Sequence, residues 1–471
     1  MRIERLFAGG MLALVVSSTA FGMAACGGGD EKKVVYPNAD GGSGGNTVTD
    51  QSGAQVGVIE GAGTSGLTGS AKSAYDAGWQ AWLKGDLATA KKQFQEAATR
   101  DPKSPSPPYS LGVVNEHLGD TAGAQEAFRT AFTNAPDHEL SMCAYALSLA
   151  NTGHAAEADT FITDKRTKKE NSPRLTACAA EVKSIQKDNG TAQQLAQDAL
   201  RMDPNFKEAM VTIARDHYRA RKLDLAKYAL QAILEGFGDA SPPRDKENAE
   251  AHMLRGLILR ESGARAVALA DFEAAARKRP DLVEALVNLG SMRLEAGNAQ
   301  EALPVLESAV RFGPNSALAH LNLGDTYRLL GRSADAKKEF DQALALDSSL
   351  AVAHYDLGLL YLFSPNIPGT SADAQVATAI KELEQYKTMR GPKPTPGVQD
   401  DIDDLLNRAK AKREELKQQA AAAQPAAATP APAPATSAAP ASSAKPAPAT
   451  SAAPASSAKP AAPAGGGATK K

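Results

Sequence analysis

Three cysteines in 471 residues are too few for a disulfide framework, and one of them, Cys26, stands far from the other two. Aromatic residues are also scarce, at 5% of the chain with only two tryptophans, while alanine is abundant. A core built this way suits helices packed at close range. The chain also lacks any marked excess of acidic over basic residues, 54 against 52. A net charge of −2 gives no long-range field for nucleic acid, so no nucleic-acid partner is expected. The chain has no phosphate loop, no GxGxxG after a strand, no HExxH and no nucleophile elbow. A non-enzymatic protein with no cofactor and no metal is therefore expected.

What is present begins at the amino terminus. Met1 to Arg5 carries two arginines, and Leu6 to Ala25 is mostly apolar, rich in small residues and uncharged. That is the layout of a secretory signal, too short and too glycine-interrupted for a permanent span. Met23-Ala24-Ala25-Cys26 resembles a bacterial lipobox, with methionine where leucine is usual. The resemblance implies cleavage before Cys26, lipid on its sulfur, and, with Gly27 rather than aspartate following, an outer-membrane address. The alternatives are an ordinary signal cut nearby, or a chance cysteine. Residues 26–70 read as a disordered Gly/Ser-rich tether that holds a folded body off the membrane.

From Ala71 the pattern changes to a period of 34. Gly78 and Gly112, Gly85 and Gly119, Ala90 and Ala124, Phe94 and Phe128, Ala97 and Ala131 correspond. The same frame returns at Gly256, Gly290 and Gly324. The first small residue allows two antiparallel helices to touch, and the second glycine closes the turn between them. The alanine and the large apolar residue four later share one face of the second helix, and the proline ends the unit. This pattern resembles the tetratricopeptide repeat (TPR) over roughly residues 71–386. The expected fold is all-α: a right-handed α-solenoid of about nine helix–turn–helix units with a C-terminal capping helix, flanked by disordered tails.

The frame assigns residues 71–240 to a first part of the array, 241–248 to an insertion, 249–390 to a second part and 391–424 to the capping segment. Lys187 and Arg221 stand where two units should carry the turn glycine. SPNIPGTSADAQ interrupts the ninth unit, with its second helix expected near Val376 to Arg390. The last helix is expected from Val398 to Lys417, with Ile402, Leu405 and Leu406 inward. Residues 425–471 form a Pro/Ala-rich tail in which PAPATSAAPASSAK occurs twice, from Pro432 and Pro446.

Candidate site residues follow from the inward positions of the first helices. Tyr75, Trp79 and Trp82 fall on one face and would make an aromatic hot spot, or simply cover the first repeat. Arg215, Tyr218 and Arg219 would grip an acidic segment, or form a solvated basic face. Asn322, Asp325 and Arg328 line the groove of the eighth unit. The terminal-carboxylate clamp found in some TPR proteins would need matches at Val287, Ser291, Asn322, Val352 and Asp356; only Asn322 fits. His252, His320 and His354 share the fourth position of their units, which reads as a packing signature rather than a metal site. Cys143 and Cys178 read as two small buried thiols, with a disulfide as the alternative.

A narrower resemblance is carried by LGLLYLFSPNIPGTSADAQVATAIKELEQYKTMRGP, the alanine-rich array and the Pro/Ala tail. Together they resemble the TPR lipoprotein of the myxobacterial adventurous gliding motility machinery. That implies a periplasm-facing, outer-membrane-anchored scaffold that assembles or stabilises a trans-envelope complex of protein partners. The alternative is an envelope-biogenesis or peptidoglycan-associated TPR lipoprotein whose tail contacts the cell wall.

Overall fold

The computed structural model describes residues 59, 66–239, 241–365, 367–391 and 401–423. The signal segment, Cys26, most of the tether and the Pro/Ala repeats lie outside them. The chain divides into Met1–Gln419 and Ala420–Lys471, and of the second unit only residues 420–423 are described.

Among the described residues there are nineteen helices and no strand. Eighteen form nine antiparallel pairs. The first four pairs are α1 (Gly69–Leu83) with α2 (Leu87–Arg100), α3 (Ser106–His117) with α4 (Thr121–Asn134), α5 (Glu139–Asn151) with α6 (Ala155–Lys168), and α7 (Pro173–Ile185) with α8 (Asn189–Met202). Next come α9 (Lys207–Arg219) with α10 (Leu223–Leu234), α11 (Ala249–Glu261) with α12 (Arg265–Lys278), and α13 (Val283–Glu295) with α14 (Ala299–Phe312). The last two are α15 (Ala317–Leu329) with α16 (Ser333–Leu346) and α17 (Ala351–Phe363) with α18 (Ala372–Arg390). The single helix α19 (Ile402–Ala423) follows, and Ile402, Leu405, Leu406 and Ala409 bury themselves against the last pairs. This is the expected α-solenoid with its terminal cap, whose helix starts at Ile402 and runs six residues beyond the expected end at Lys417.

Local chemistry explains each pair. A Cβ at Gly78 would lie 2.8 Å from the Phe94 ring, and one at Gly112 would overlap Phe128, so only glycine permits the close approach at these points. Asp86, Asp120 and Asp188 cap their second helices by accepting the N–H of Thr89, Gly123 and Thr191. His252, His320 and His354 each place Nδ1 against an acid on the second helix of their own pair: Asp271 at 2.8 Å, Glu339 at 2.6 Å and Glu382 at 2.6 Å. Their common position is thus a helix-to-helix tie.

Lys187 and Arg221 take the left-handed turn conformation normally given to glycine, at φ 66° and 59°. A side chain with a Cβ pays roughly 1 kcal/mol there. Lys187→Gly is therefore expected to raise stability by about 1 kcal/mol, read as a higher urea midpoint at unchanged slope. Arg221 is a poorer test, because its guanidinium pairs with Glu261 at 2.7 Å.

Two expectations shift. The tether does not run clear to residue 70: Ile59 and Leu67 are buried in the first core cluster, and α1 begins at Gly69. Their apolar side chains find a surface on the first pairs that composition alone does not reveal. In the ninth unit α18 starts at Ala372, four residues early, because the Ser371 hydroxyl caps the N–H of Ala374. The preceding loop is fastened by buried Gln375, which donates to the carbonyls of Tyr361 and Ser364 and accepts the N–H of Ile367.

The array also meets itself. Trp82, at the end of α1, lies edge-on between His117 of α3 (ring centroids 4.8 Å apart) and Phe312 at the end of α14 (5.6 Å). His117 Nδ1 stands 2.6 Å from the Phe312 carbonyl oxygen and must carry the proton there. Asn315 donates to the Leu118 carbonyl. The turns of the first two units thus rest on the loop that leaves the seventh, and Phe312 joins the core of the amino-terminal pairs.

Candidate functional site

Successive first helices touch along the array, α5 against α7, α7 against α9 and α9 against α11. Between them lies a cavity of about 270 Å³, lined by residues of these four helices and by Phe206 just before α9. Its walls carry three arginines, Arg174, Arg215 and Arg219, against three glutamates, Glu181, Glu208 and Glu250.

These six charges form a ladder. Glu181 sits 2.9 Å from Arg215 and 2.8 Å from Arg219. The second Nη of Arg215 reaches Glu250 at 2.5 Å, and Arg174 pairs with Glu208 at 3.3 Å. Arg219 also donates to the Ser184 hydroxyl. Burial pushes the Glu181 carboxyl up, but Arg215 and Arg219 overcome it and hold the group below the usual carboxylate range. Glu208 goes the other way: burial outweighs Arg174 and raises it. The expected basic strip is therefore already answered within the chain. Tyr218 is occupied as well, donating its hydroxyl to Glu261 at 2.9 Å.

The aromatic candidates are placed differently from expectation. Tyr75 is fully buried, with its hydroxyl 2.8 Å from that of Ser110. Trp82 is buried in the self-contact described above, and Trp79 is half-buried against the same core. Tyr75 thus serves the packing of the first two units and Trp82 that of the first, second and seventh, and neither offers a ring to a ligand. In the eighth unit Asn322 is buried, and Arg328 gives both Nε and Nη2 to one oxygen of Asp325. The expectation missed Glu181, Glu208 and Glu250. Their signal was available: each stands 34 or 35 residues from its arginine, one unit along.

Cys143 and Cys178 face the same cavity as free, buried thiols. Burial and then the neighbouring Cys143 raise the Cys178 thiol well above its ordinary value, so it stays protonated. No group of three or more histidine, cysteine or acidic side chains suited to a metal occurs among the described residues. No helix among them is long and apolar enough to cross a membrane.

A family model described as tetratricopeptide repeat matches residues 281–349, and a second of the same description matches 75–158 and 211–282. The chain carries tetratricopeptide repeats. The unmatched stretch 159–210 includes the helical pair whose turn holds Lys187. No curated protein matches the chain. Among solved structures, the APC/C hetero-tetramer Cut9-Hcn1 is similar at 16% identity and a TM-score of 0.47. That match covers 70% of this chain and 62% of the other, so the chain spans under two thirds of that relative. Yeast Tom70 aligns at 16% identity and TM-score 0.44, over 69% of this chain and 68% of that one. The human IFIT1 dimer with PPP-AAAA aligns at 15% identity and TM-score 0.37, over 73% and 89%.

Proposed function

We propose that this TPR array is a non-enzymatic scaffold that binds protein partners along the inner face of its first helices, and that Cys26 anchors it by lipid in a bacterial envelope, on the outer membrane facing the periplasm. The observation that carries the binding role is the wall built by the first helices α5, α7, α9 and α11, open at the cavity between them. Stacked helical pairs with no catalytic constellation serve as docking surfaces. The envelope address rests on the segment Met23-Ala24-Ala25-Cys26 and the basic, apolar stretch before it.

Within the envelope, the proposed role is assembly or stabilisation of a trans-envelope complex of the gliding-motility type. It is supported by the likeness of the ninth-unit block and the tail to the lipoprotein of that machinery. A role in envelope biogenesis is the competing outcome. Two measurements test the proposal. Radiolabelled palmitate is expected in the mature chain and absent after Cys26→Ser; label that survives the substitution, or never appears, overturns the anchor. In-cell cross-linking and pull-down from membranes are expected to return a stable set of motility proteins, each lost on Leu147→Lys, which places a charge on the groove wall. Recovery of wall synthases instead decides for the competing role. Retention of all partners by Leu147→Lys, with helical circular dichroism unchanged, overturns the groove.

A further inference from the structure

The middle of the inner face answers its own charges, but its carboxy-terminal end does not. Asp356 is the sixth residue of α17, an inward position of the ninth unit. It is 8% exposed, and its carboxylate makes no hydrogen bond or ion pair with any described residue. Its oxygens are not among the fully sealed atoms, so they still touch the groove. Asp325 of α15 lies one unit back. Among the described residues Arg328 is its only cation, and both guanidinium hydrogen bonds go to Oδ1, which leaves Oδ2 without a donor there. Tyr355, beside Asp356, is turned to Asp401 instead, at 3.0 and 3.1 Å.

A buried carboxylate without a partner is costly, since desolvation is uncompensated. Burial, then the nearby Asp325, raise the Asp356 carboxyl well above its ordinary value, and Arg328 only partly opposes them. One guanidinium shared between two carboxylates leaves room for one more cation. We propose that Asp325 and Asp356 receive a lysine or arginine side chain from the partner segment that lies along the inner face. This deepens the scaffold reading and rests on it. It also reverses the polarity expected of the groove: the arginine strip in the fifth unit is satisfied internally, while the eighth and ninth units set two carboxyl groups against one guanidinium. A basic side chain there would regain two charge-assisted contacts in a partly desolvated wall.

The probe is a fluorescent twelve-residue peptide of alternating lysine and alanine, measured by anisotropy on the full chain, with a glutamate–alanine peptide as its counterpart. The lysine peptide is expected to bind and the glutamate peptide not to. Asp356→Asn is expected to weaken the lysine peptide at least tenfold, because an amide cannot ionise to meet the incoming cation, while leaving the melting temperature near that of the wild type. Asp224→Asn removes the same charge from an exposed outer helix and is expected to change nothing. No binding of the lysine peptide, equal binding by Asp356→Asn, or equal weakening by Asp224→Asn would overturn the site. The Leu147→Lys pull-down reads the groove separately. Partners lost there with Asp356→Asn inert sinks this site alone; partners retained there with Asp356→Asn effective sinks the docking role of the cavity between α5 and α11 alone.

Discussion

Trp82→Ala is expected to destabilise the array by about 3–5 kcal/mol, the range for deleting a buried aromatic side chain. Trp82 keeps only 4% of its surface, and Phe312 only 2%. Ordinary repeat arrays lose stability locally, because each unit touches only its neighbours. Here the lost ring also separates the first two units from the seventh, since His117 and Phe312 both pack on it. The chain should therefore lose cooperativity as well as stability, and its radius of gyration should rise. Small-angle scattering and a urea melt check both. Phe312→Ala should cost a similar amount, and the double variant should cost clearly less than the two singles together, because the residues act through one contact. Full additivity would show that the self-contact contributes nothing of its own.

Glu181→Ala is expected to cost about 2–3 kcal/mol, toward the low end for breaking a buried ion pair because both guanidiniums keep roughly a quarter of their surface in water. Arg215 retains Glu250, but Arg219 keeps only the neutral Ser184 hydroxyl. The same group gives a pH dependence with a definite sign. Its folded value lies below the ordinary 4.5, so its contribution is full above 4.5 and is lost as pH falls through that window. Stability of the wild type should therefore drop below about pH 4.5, more steeply than that of Glu181→Gln. Melting curves from pH 7 to pH 3 compare the two slopes.

Much of this protein is legible in residues read one after another. The pairs, their turns and their caps depend on contacts three, four or about thirty-four residues apart, and such contacts recur. Gly78, Gly112 and the three histidines at one repeat position announce their roles because each partner lies within its own unit. Even the two irregular turns were marked, since Lys187 and Arg221 stand where glycine belongs and take its backbone conformation at some cost. The inner ion-pair ladder lies at the edge of what a sequence shows. Charge type and unit spacing were visible, yet which carboxylate answers which guanidinium depends on how far each first helix slides past the next.

The contact of Trp82 with Phe312 belongs wholly to the tertiary structure. It joins residues 230 positions apart, and it arises only because a small rotation between neighbouring units accumulates over seven of them until the chain returns to its start. No local pattern encodes that sum. Order along the chain thus sets a helical-pair array and, through its paired glycines and alanines, how tightly each pair closes. The three-dimensional fold decided which inward-facing side chains are consumed by the molecule and which, like Asp356, are left for something else, because burial and pairing are properties of neighbours that the chain brings together only when the stack is complete.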